Sequence, residues 1–111
     1  MKNKLEWNVL LAGKLTGSVE RIVAREAREA LSLSDRPLST VELLERLYPA
    51  SWVTCPSDVT VRVQITFMLG QATHYSKSLA GFRTVGANRR HIWQIPALEH
   101  HNDNLTALPA A

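Results

Sequence analysis

Residues 36–49 read Arg-Pro-Leu-Ser-Thr-Val-Glu-Leu-Leu-Glu-Arg-Leu-Tyr-Pro, and they contain the clearest signals in the chain for both ends of a helix. Ser39 and Glu42 have the spacing of a capping box, in which each side chain accepts a backbone N–H of the other residue. Pro37 keeps the residue before it out of helical geometry, and Pro49 stops the helix at its other end. The stretch therefore predicts a short helix between the two prolines.

A longer helix is predicted upstream, from about Ser18 to Leu33. Ser18 suits an N-cap, and Glu20 lies in the first turn, where the helix dipole favours a carboxylate. Charged residues of both signs occupy one face, which we expect to be solvated. The opposite face is apolar with the 3.6-residue period of a helix: Val19, Ile22, Val23, Ala27, Ala30 and Leu31.

Residues 58–69 fit two interpretations. Apolar and polar residues alternate from Val59 to Leu69, and many are β-branched, which favours a strand. A helix would instead place five apolar side chains on one face: Val61, Ile65, Met68, Leu69 and Ala72. The segment from about Ser57 to Thr73 is long for a strand and ordinary for a helix, so we predict a third helix.

A β-hairpin is predicted after the third helix, with strands at residues 79–85 and 91–95. The turn Gly86-Ala87-Asn88-Arg89-Arg90 joins them, and its glycine and asparagine tolerate positive φ. Phe82 and Thr84 of the first strand should pair with Trp93 and Ile95 of the second. Each strand would then have one face towards the core.

The two ends of the chain are predicted to lie outside the domain, which spans residues 18–96. Residues 1–17 form an arm in which Leu5, Trp7, Val9 and Leu11 alternate as in a strand. We expect this arm to cover its own domain or to form the contact of a homodimer. Residues 97–111 mix polar residues with proline and alanine, which predicts a flexible tail.

Charge is unevenly distributed along the chain, although the formal net charge is only +3. Residues 1–58 contain eight basic and eight acidic side chains, whereas residues 59–98 contain five basic side chains and no carboxylate. The five are Arg62, Lys77, Arg83, Arg89 and Arg90. Cations without interleaved acids favour a polyanion, because each phosphate they neutralise releases condensed counterions.

Several function classes are excluded by what the sequence lacks. Cys55 is the single cysteine, so no internal disulfide forms, and no segment approaches the ~18 uninterrupted apolar residues of a spanning helix. We therefore predict a cytoplasmic protein without a membrane partner. The histidines lack ligand spacing, and neither a glycine-rich phosphate loop nor a catalytic triad is evident. We expect no metal, no cofactor, no small-molecule substrate and no enzymatic activity.

The predicted order of helix, extended link, capped helix, loop, helix and hairpin resembles the winged helix-turn-helix superfamily over about residues 18–96. Three local signatures support the resemblance: the run at residues 36–49, the third helix with its polar positions, and the run from Phe82 to Trp93, which corresponds to the wing. The resemblance implies an α+β fold, a three-helix winged helix-turn-helix with a C-terminal β-hairpin wing.

The resemblance also implies where the chain touches DNA. The third helix would enter the major groove with four polar side chains outward: Thr60, Arg62, Gln64 and Thr66. Arg62 is our first choice for base contact, because an arginine can bind guanine O6 and N7 together. It cannot share this direction with Gln64, since residues two apart on a helix diverge. A phosphate or solvent contact for Arg62 is the alternative.

The wing would supply the remaining contacts. Asn88, Arg89 and Arg90 at its tip would meet phosphates or reach into the minor groove. Lys77 and Arg83 would extend the positive surface, unless they pair with glutamates of the first two helices.

The function implied by the resemblance is sequence-specific binding of double-stranded DNA, by a small transcriptional regulator or a mobile-element accessory factor. An alternative is a winged-helix module for protein–protein interaction, whose cations bind an acidic partner, because one fold hosts both functions. A third hypothesis follows from the strand interpretation of residues 58–69: a sheet that binds single-stranded nucleic acid on exposed aromatics.

Overall fold

The computed structural model describes residues 1–96, which form an α+β fold of four α-helices and a three-stranded antiparallel sheet. In chain order the elements are α1 (Lys4–Ala12), α2 (Gly17–Ser32), β1 (Leu38–Ser39), α3 (Thr40–Leu47), α4 (Pro56–His74), β2 (Arg83–Val85) and β3 (His91–Trp93). The α+β class is confirmed, whereas a fourth helix and a third strand were not predicted. The predicted tail at residues 97–111 lies outside the described residues.

In the N-terminal arm, residues 5–11 lie in helix α1, so the strand interpretation of the arm is wrong. A capping box at Asn3 begins the helix. Trp7 and Leu11 pack into the core of their own domain, whereas Leu5 and Val9 are exposed. Strand alternation would place all four apolar side chains on one side. The helix separates them into two pairs, because residues four apart share a face.

Helices α2 and α3 lie close to their predicted positions. Helix α2 is capped by Thr16 rather than by Ser18 and ends at Ser32. The capping box of α3 is confirmed: the Ser39 N–H donates to Glu42 Oε1 at 2.9 Å, and the Glu42 N–H donates to Ser39 Oγ at 3.2 Å. The extended link before α3 is strand β1, because it pairs with β3.

Helix α4 confirms the helical interpretation of residues 58–69 and rules out the strand that the single-stranded nucleic-acid platform required. Pro56 occupies its first turn, after Cys55 at the N-cap position. The five apolar side chains predicted to share a face are all buried: Val61, Ile65, Met68, Leu69 and Ala72.

The three strands are arranged in the order β1-β3-β2, with β3 in the centre. Trp93 of β3 lies opposite Leu38 on one side and Arg83 on the other. The predicted pairing is therefore wrong by one residue, and both strands of the hairpin are shorter than predicted. The Trp93 indole N–H donates to Thr40 Oγ1 at 2.8 Å, which fixes the hairpin to the start of α3.

Candidate nucleic-acid interface

The turn of the β2–β3 hairpin is held by its own backbone. The Gly86 N–H donates to the Arg90 carbonyl oxygen at 2.7 Å. Asn88 and Arg89 have positive φ values of 60° and 59°, so the prediction of positive φ holds for the asparagine. Gly86 instead has a φ of −90°, and a Cβ at this position would lie 2.7 Å from Ile92 Cγ1. Glycine is favoured there because a neighbouring side chain approaches closely and would have to move to admit a Cβ.

Arg89 and Arg90, the arginine pair of the hairpin tip, are exposed to solvent. Within residues 1–96, the ion pairs present involve other side chains, and neither guanidinium has a carboxylate within 4.0 Å. A fixed turn thus presents two adjacent cations that no acid neutralises in the described part of the chain. This arrangement suits an external anion, because no internal pair has to be broken before it binds.

Arg83 and Lys77 lie nearer the base of the hairpin. Arg83 donates to His74 Nε2 at the end of α4, and its guanidinium carbon lies 5.5 Å from the centroid of the Trp93 ring. A cation over an aromatic face is held by the ring quadrupole, so this side chain is anchored without losing its charge. Lys77 is exposed in the turn after α4, with a φ of 65°.

Arg62 is placed differently from the other four cations, because it contacts α3. Its Nη1 donates to Glu45 Oε2 at 2.8 Å and to the Tyr48 carbonyl oxygen at 2.9 Å. The hydrogen bond from Arg62 is the largest cause that lowers the pKa of Glu45 below its ordinary value. The charge of Arg62 is therefore already compensated by an acid that lies 17 residues away in the sequence.

The four polar residues predicted to line α4 do not share one outward face. Arg62 and Thr66 lie towards α3, and the Thr66 hydroxyl donates to the Arg62 carbonyl oxygen at 3.1 Å. Thr60 and Gln64 instead line a cleft between α4 and α1. The centre of the outward face is formed by three apolar side chains with exposures of 50%, 62% and 55%: Val59, Val63 and Phe67.

A groove of about 720 Å³ lies between residues 90–92 of the hairpin and the start of α3. Arg90 and His91 line one wall, and Val41 and Glu42 lie on the other. The Glu42 carboxylate accepts a hydrogen bond from Arg36 Nη2 at 2.8 Å, which, with the Ser39 N–H, lowers the Glu42 pKa to about 2. In space, Glu45 is therefore bonded to Arg62 of the acid-free segment, and Glu42 lines the same groove as Arg90.

Asp58 is a buried charge that sequence reasoning missed, with 2% of its surface exposed. Its Oδ2 accepts from the Thr54 N–H at 2.9 Å and from Lys4 Nζ at 3.0 Å. Asn8 Nδ2 donates to its Oδ1 at 3.3 Å, and the Tyr48 hydroxyl donates to Asn8 Oδ1 at 2.8 Å. The Thr54 backbone bond, followed by the Lys4 bond, holds the pKa of Asp58 well below its ordinary range.

The hydrogen bonds of Asp58 join α1 to the first turn of α4. A carboxylate one turn into a helix with Pro56 at its start is a recognisable N-terminal signal. Its partners on α1 lie 50 or more residues earlier in the chain, so the sequence alone does not reveal the connection. These bonds therefore fix the position of α4, whose outward face lies between α1 and α3.

Comparison with protein-family models, curated proteins and solved structures gives no match. Among residues 1–96, no helix combines the length and the apolar character needed to cross a bilayer. In the same part of the chain, no three His, Cys, Asp or Glu side chains come together as a metal-binding group.

Proposed function

We propose that this chain is a winged-helix protein that binds the backbone of double-stranded DNA through the β2–β3 hairpin. The element order α2, β1, α3, α4, β2, β3 and the strand order β1-β3-β2 are compatible with that fold. In this proposal α1 is an addition that covers one end of the core through Trp7 and Leu11.

The observation that carries the proposal is the arginine pair of the hairpin tip. Arg89 and Arg90 are exposed, adjacent and without a carboxylate partner in the described residues. Arginine binds phosphate through two parallel hydrogen bonds, so each side chain can hold one backbone phosphate. The Asn88 amide, beside them on the same turn, can donate to a phosphate or sugar oxygen.

Two further cations extend this contact towards the base of the hairpin. Arg83 keeps its charge while His74 and Trp93 hold its side chain, so little conformational freedom is lost when it meets a phosphate. Lys77 lies in the turn that precedes the hairpin. Four cations that each neutralise a phosphate would make the affinity strongly salt-dependent.

Sequence-specific recognition would depend on α4, as expected of a small transcriptional regulator or a mobile-element accessory factor. Thr60 and Thr66 are exposed and can contact base edges or phosphates. Gln64 is half-buried, on the side of α4 that faces α1. Arg62 can reach a guanine only by exchanging its bond with Glu45 for the base. Base contact by Arg62 is therefore coupled to release from α3, whereas the hairpin needs no such exchange.

The proposal is tested by fluorescence anisotropy of a labelled duplex at low salt, with the wild-type chain and the double variant Arg89→Ala/Arg90→Ala. Loss of two charge-assisted contacts should weaken binding roughly 10- to 100-fold. The matched control is Arg21→Ala/Arg25→Ala, which removes the same charge from exposed positions on α2. Equal losses in both variants would reduce the effect to net charge and contradict the assignment to the hairpin.

A second candidate function is a protein–protein interaction module that binds an acidic partner. The observation that favours it is the apolar centre of the outward face of α4, which lacks the polar side chains that base edges require. Undetectable binding to duplex DNA at low salt, together with stoichiometric binding of an acidic protein that depends on Arg89 and Arg90, would replace the first proposal with this one.

A further inference from the structure

The contact between Arg83 and His74 requires one protonation state of the histidine. Arg83 Nη2 lies within hydrogen-bond distance of His74 Nε2. A guanidinium has N–H donors and no acceptor, so the imidazole nitrogen must accept this hydrogen bond. His74 is therefore neutral in this arrangement, with its proton on Nδ1. A protonated imidazole has two donors and no acceptor, so it is incompatible with the same bond.

The position of His74 in the fold favours a cation. His74 is the last residue of α4, where the helix dipole places partial negative charge. Its side chain is exposed, so solvent can supply a proton. Histidine is also the side chain that ordinarily changes its charge between pH 5 and 8. The end of α4 thus carries a titratable group that an adjacent arginine holds in the neutral form.

The described residues offer no acid to compensate a second positive charge beside Arg83. Within residues 1–96, neither His74 nor Arg83 has a carboxylate within 4.0 Å. The titratable side chains that follow His74 in the chain are Tyr75 and Lys77, both exposed. Neither of these two side-chain types is negatively charged near neutral pH.

The helices that pack against α4 do not supply such an acid either. Helix α2 brings a cation to the turn after α4, where Arg28 Nη1 donates to the Ser78 carbonyl oxygen at 3.0 Å. The acids at the contacts of α4 with α1 and α3 are Asp58 and Glu45, and each already has a basic partner. Both pairs involve α4 at or before residue 62, roughly three turns from its end.

We propose that His74 and Arg83 bind one backbone phosphate of the duplex together, and that His74 takes up a proton when they do so. A phosphate oxygen provides an acceptor for the guanidinium and for a protonated imidazole. The bond between the two side chains is then exchanged for one charge-assisted bond from each to the phosphate. The proton comes from solvent and is bound at Nε2. This inference rests on the proposed function, because the phosphate belongs to the DNA that the hairpin contacts.

Trp93 keeps Arg83 in place during this exchange. The guanidinium carbon lies 5.5 Å from the centroid of the indole ring, and the indole N–H donates to Thr40 Oγ1 at 2.8 Å. The ring is therefore fixed, and it holds the cation after the bond to His74 is lost. Duplex DNA carries one negative charge per about 1.7 Å of its axis, which stabilises a second cation at the same place.

Binding of DNA and binding of the proton are coupled in this proposal. Linkage requires that the proton raise DNA affinity by the same factor by which DNA raises proton affinity. DNA affinity should therefore increase as the pH falls through the range in which histidine titrates, at most roughly tenfold per pH unit for one proton. Arg89 and Arg90 remain charged throughout this range, so their contribution should not depend on pH.

Fluorescence anisotropy of a labelled duplex with the full chain, at constant salt and from about pH 8 to about pH 5.5, tests the proposal. The wild-type affinity should rise roughly fivefold or more towards the lower pH. His74→Gln retains an acceptor for Arg83 but does not titrate, so it should match the wild type at the higher pH and lack the rise. His74→Lys has a permanent charge and should bind tightly at both ends of the range.

His91→Gln is the matched control for the loss of a histidine. His91 is also exposed in the hairpin region, but it lines the groove beside Glu42. This variant should keep the pH dependence of the wild type. Isothermal titration calorimetry near pH 7, in two buffers of different ionisation enthalpy, counts the protons taken up on binding. The wild type should take up more than His74→Gln, by as much as about one proton per chain.

Equal pH dependence in the wild type and in His74→Gln would overturn the proposal. A loss of affinity in His74→Gln that is the same at every pH would also overturn it, because the histidine would then only position Arg83. In either case binding that still requires Arg89 and Arg90 would leave the proposed function standing. A chain that binds no duplex at any pH would remove the proposed function and this inference with it. Circular dichroism of each variant shows whether it is folded.

Discussion

The β2–β3 hairpin and helix α4 both carry arginine, but they use it in opposite ways. Arg89 and Arg90 stand on a fixed turn without an acidic partner in the described residues. Arg62 is bonded to Glu45 and to a carbonyl of α3, and the helix exposes valine and phenylalanine beside it. Of these two regions, the hairpin presents uncompensated charge, whereas α4 combines a compensated charge with an apolar surface.

This difference shows that charge segregated along a sequence need not be segregated in space. In the sequence, residues 59–98 contain five basic side chains and no carboxylate. Once folded, α3 brings Glu45 to Arg62 and Glu42 to the groove beside Arg90. A local field depends on neighbours in three dimensions, so the hairpin tip is the stronger candidate for binding a polyanion.

The largest change in the free energy of unfolding should come from removing a buried side chain of α1, which packs beside α4, while the hairpin sequence stays intact. Trp7 is almost completely buried between α1 and the core, so Trp7→Ala should lower the free energy of unfolding by about 3–5 kcal/mol. Urea denaturation followed by circular dichroism measures the change. Leu5→Ala, at an exposed position of the same helix, should change it by less than about 0.5 kcal/mol. Similar losses in both variants would contradict the packing of α1.

The buried carboxylate of Asp58, in the first turn of α4, should make the protein less stable as the pH falls. The folded-state pKa of Asp58 lies below the unfolded value of about 3.9, so its stabilising contribution is complete above that value and is lost as the pH falls further. Asp58→Asn should therefore lower the Tm at pH 7, and the difference from wild type should shrink below pH 4. Asp35→Asn, at an exposed turn, is the control. A pH-independent difference would show that the ionised form is not required.

Removing the bond between Arg62 and Glu45 tests whether Arg62 is available to DNA. Glu45→Gln removes the carboxylate that compensates Arg62, so DNA affinity should rise roughly two- to fivefold if the released arginine contacts DNA. Anisotropy titrations of wild type, Glu45→Gln and Glu45→Gln/Arg62→Gln measure this, and the second substitution should cancel the gain. Glu29→Gln on α2 provides the charge-matched control. An affinity unchanged by Glu45→Gln would leave Arg62 with a structural role only.

The smallest effect concerns the shape of the hairpin turn. Gly86→Ala places a Cβ 2.7 Å from Ile92 Cγ1, so the side chain must move at a cost of about 1 kcal/mol. DNA affinity should fall by a few fold as the arginine pair shifts. Gly13→Ala, whose Cβ would meet no described atom within 4 Å, should leave affinity unchanged. Unchanged affinity in Gly86→Ala would mean that the turn need not be rigid.

The parts of the fold that the sequence predicted are those with local signals. The capping box of Ser39 and Glu42 placed α3, and the period of five apolar residues identified the buried face of α4. Helix α1 was missed because residues 5, 7, 9 and 11 alternate like a strand while 7 and 11 also satisfy helical spacing. Its capping box at Asn3 was the local signal that distinguishes the two.

The parts that could not be predicted depend on contacts between distant residues. Strand β1 exists because two residues pair with β3, more than 50 positions later. The bond between Arg62 and Glu45 joins two helices, and that of Asp58 with Lys4 joins the first helix to the last. The candidate site on the hairpin was predictable because its turn is local, whereas the actual surface of α4 was decided by these tertiary contacts.

Whether the hairpin arginines contact the DNA backbone is measured by the salt dependence of duplex binding by the wild-type chain and by Arg89→Ala/Arg90→Ala. If the four cations of the hairpin region each neutralise one phosphate, log K should fall with log salt with a slope of about −3.6, and the double variant should reduce its magnitude by about 1.8. The Arg21→Ala/Arg25→Ala control should keep the wild-type slope. An unchanged slope in the hairpin variant would contradict the claim that its arginines contact the DNA backbone.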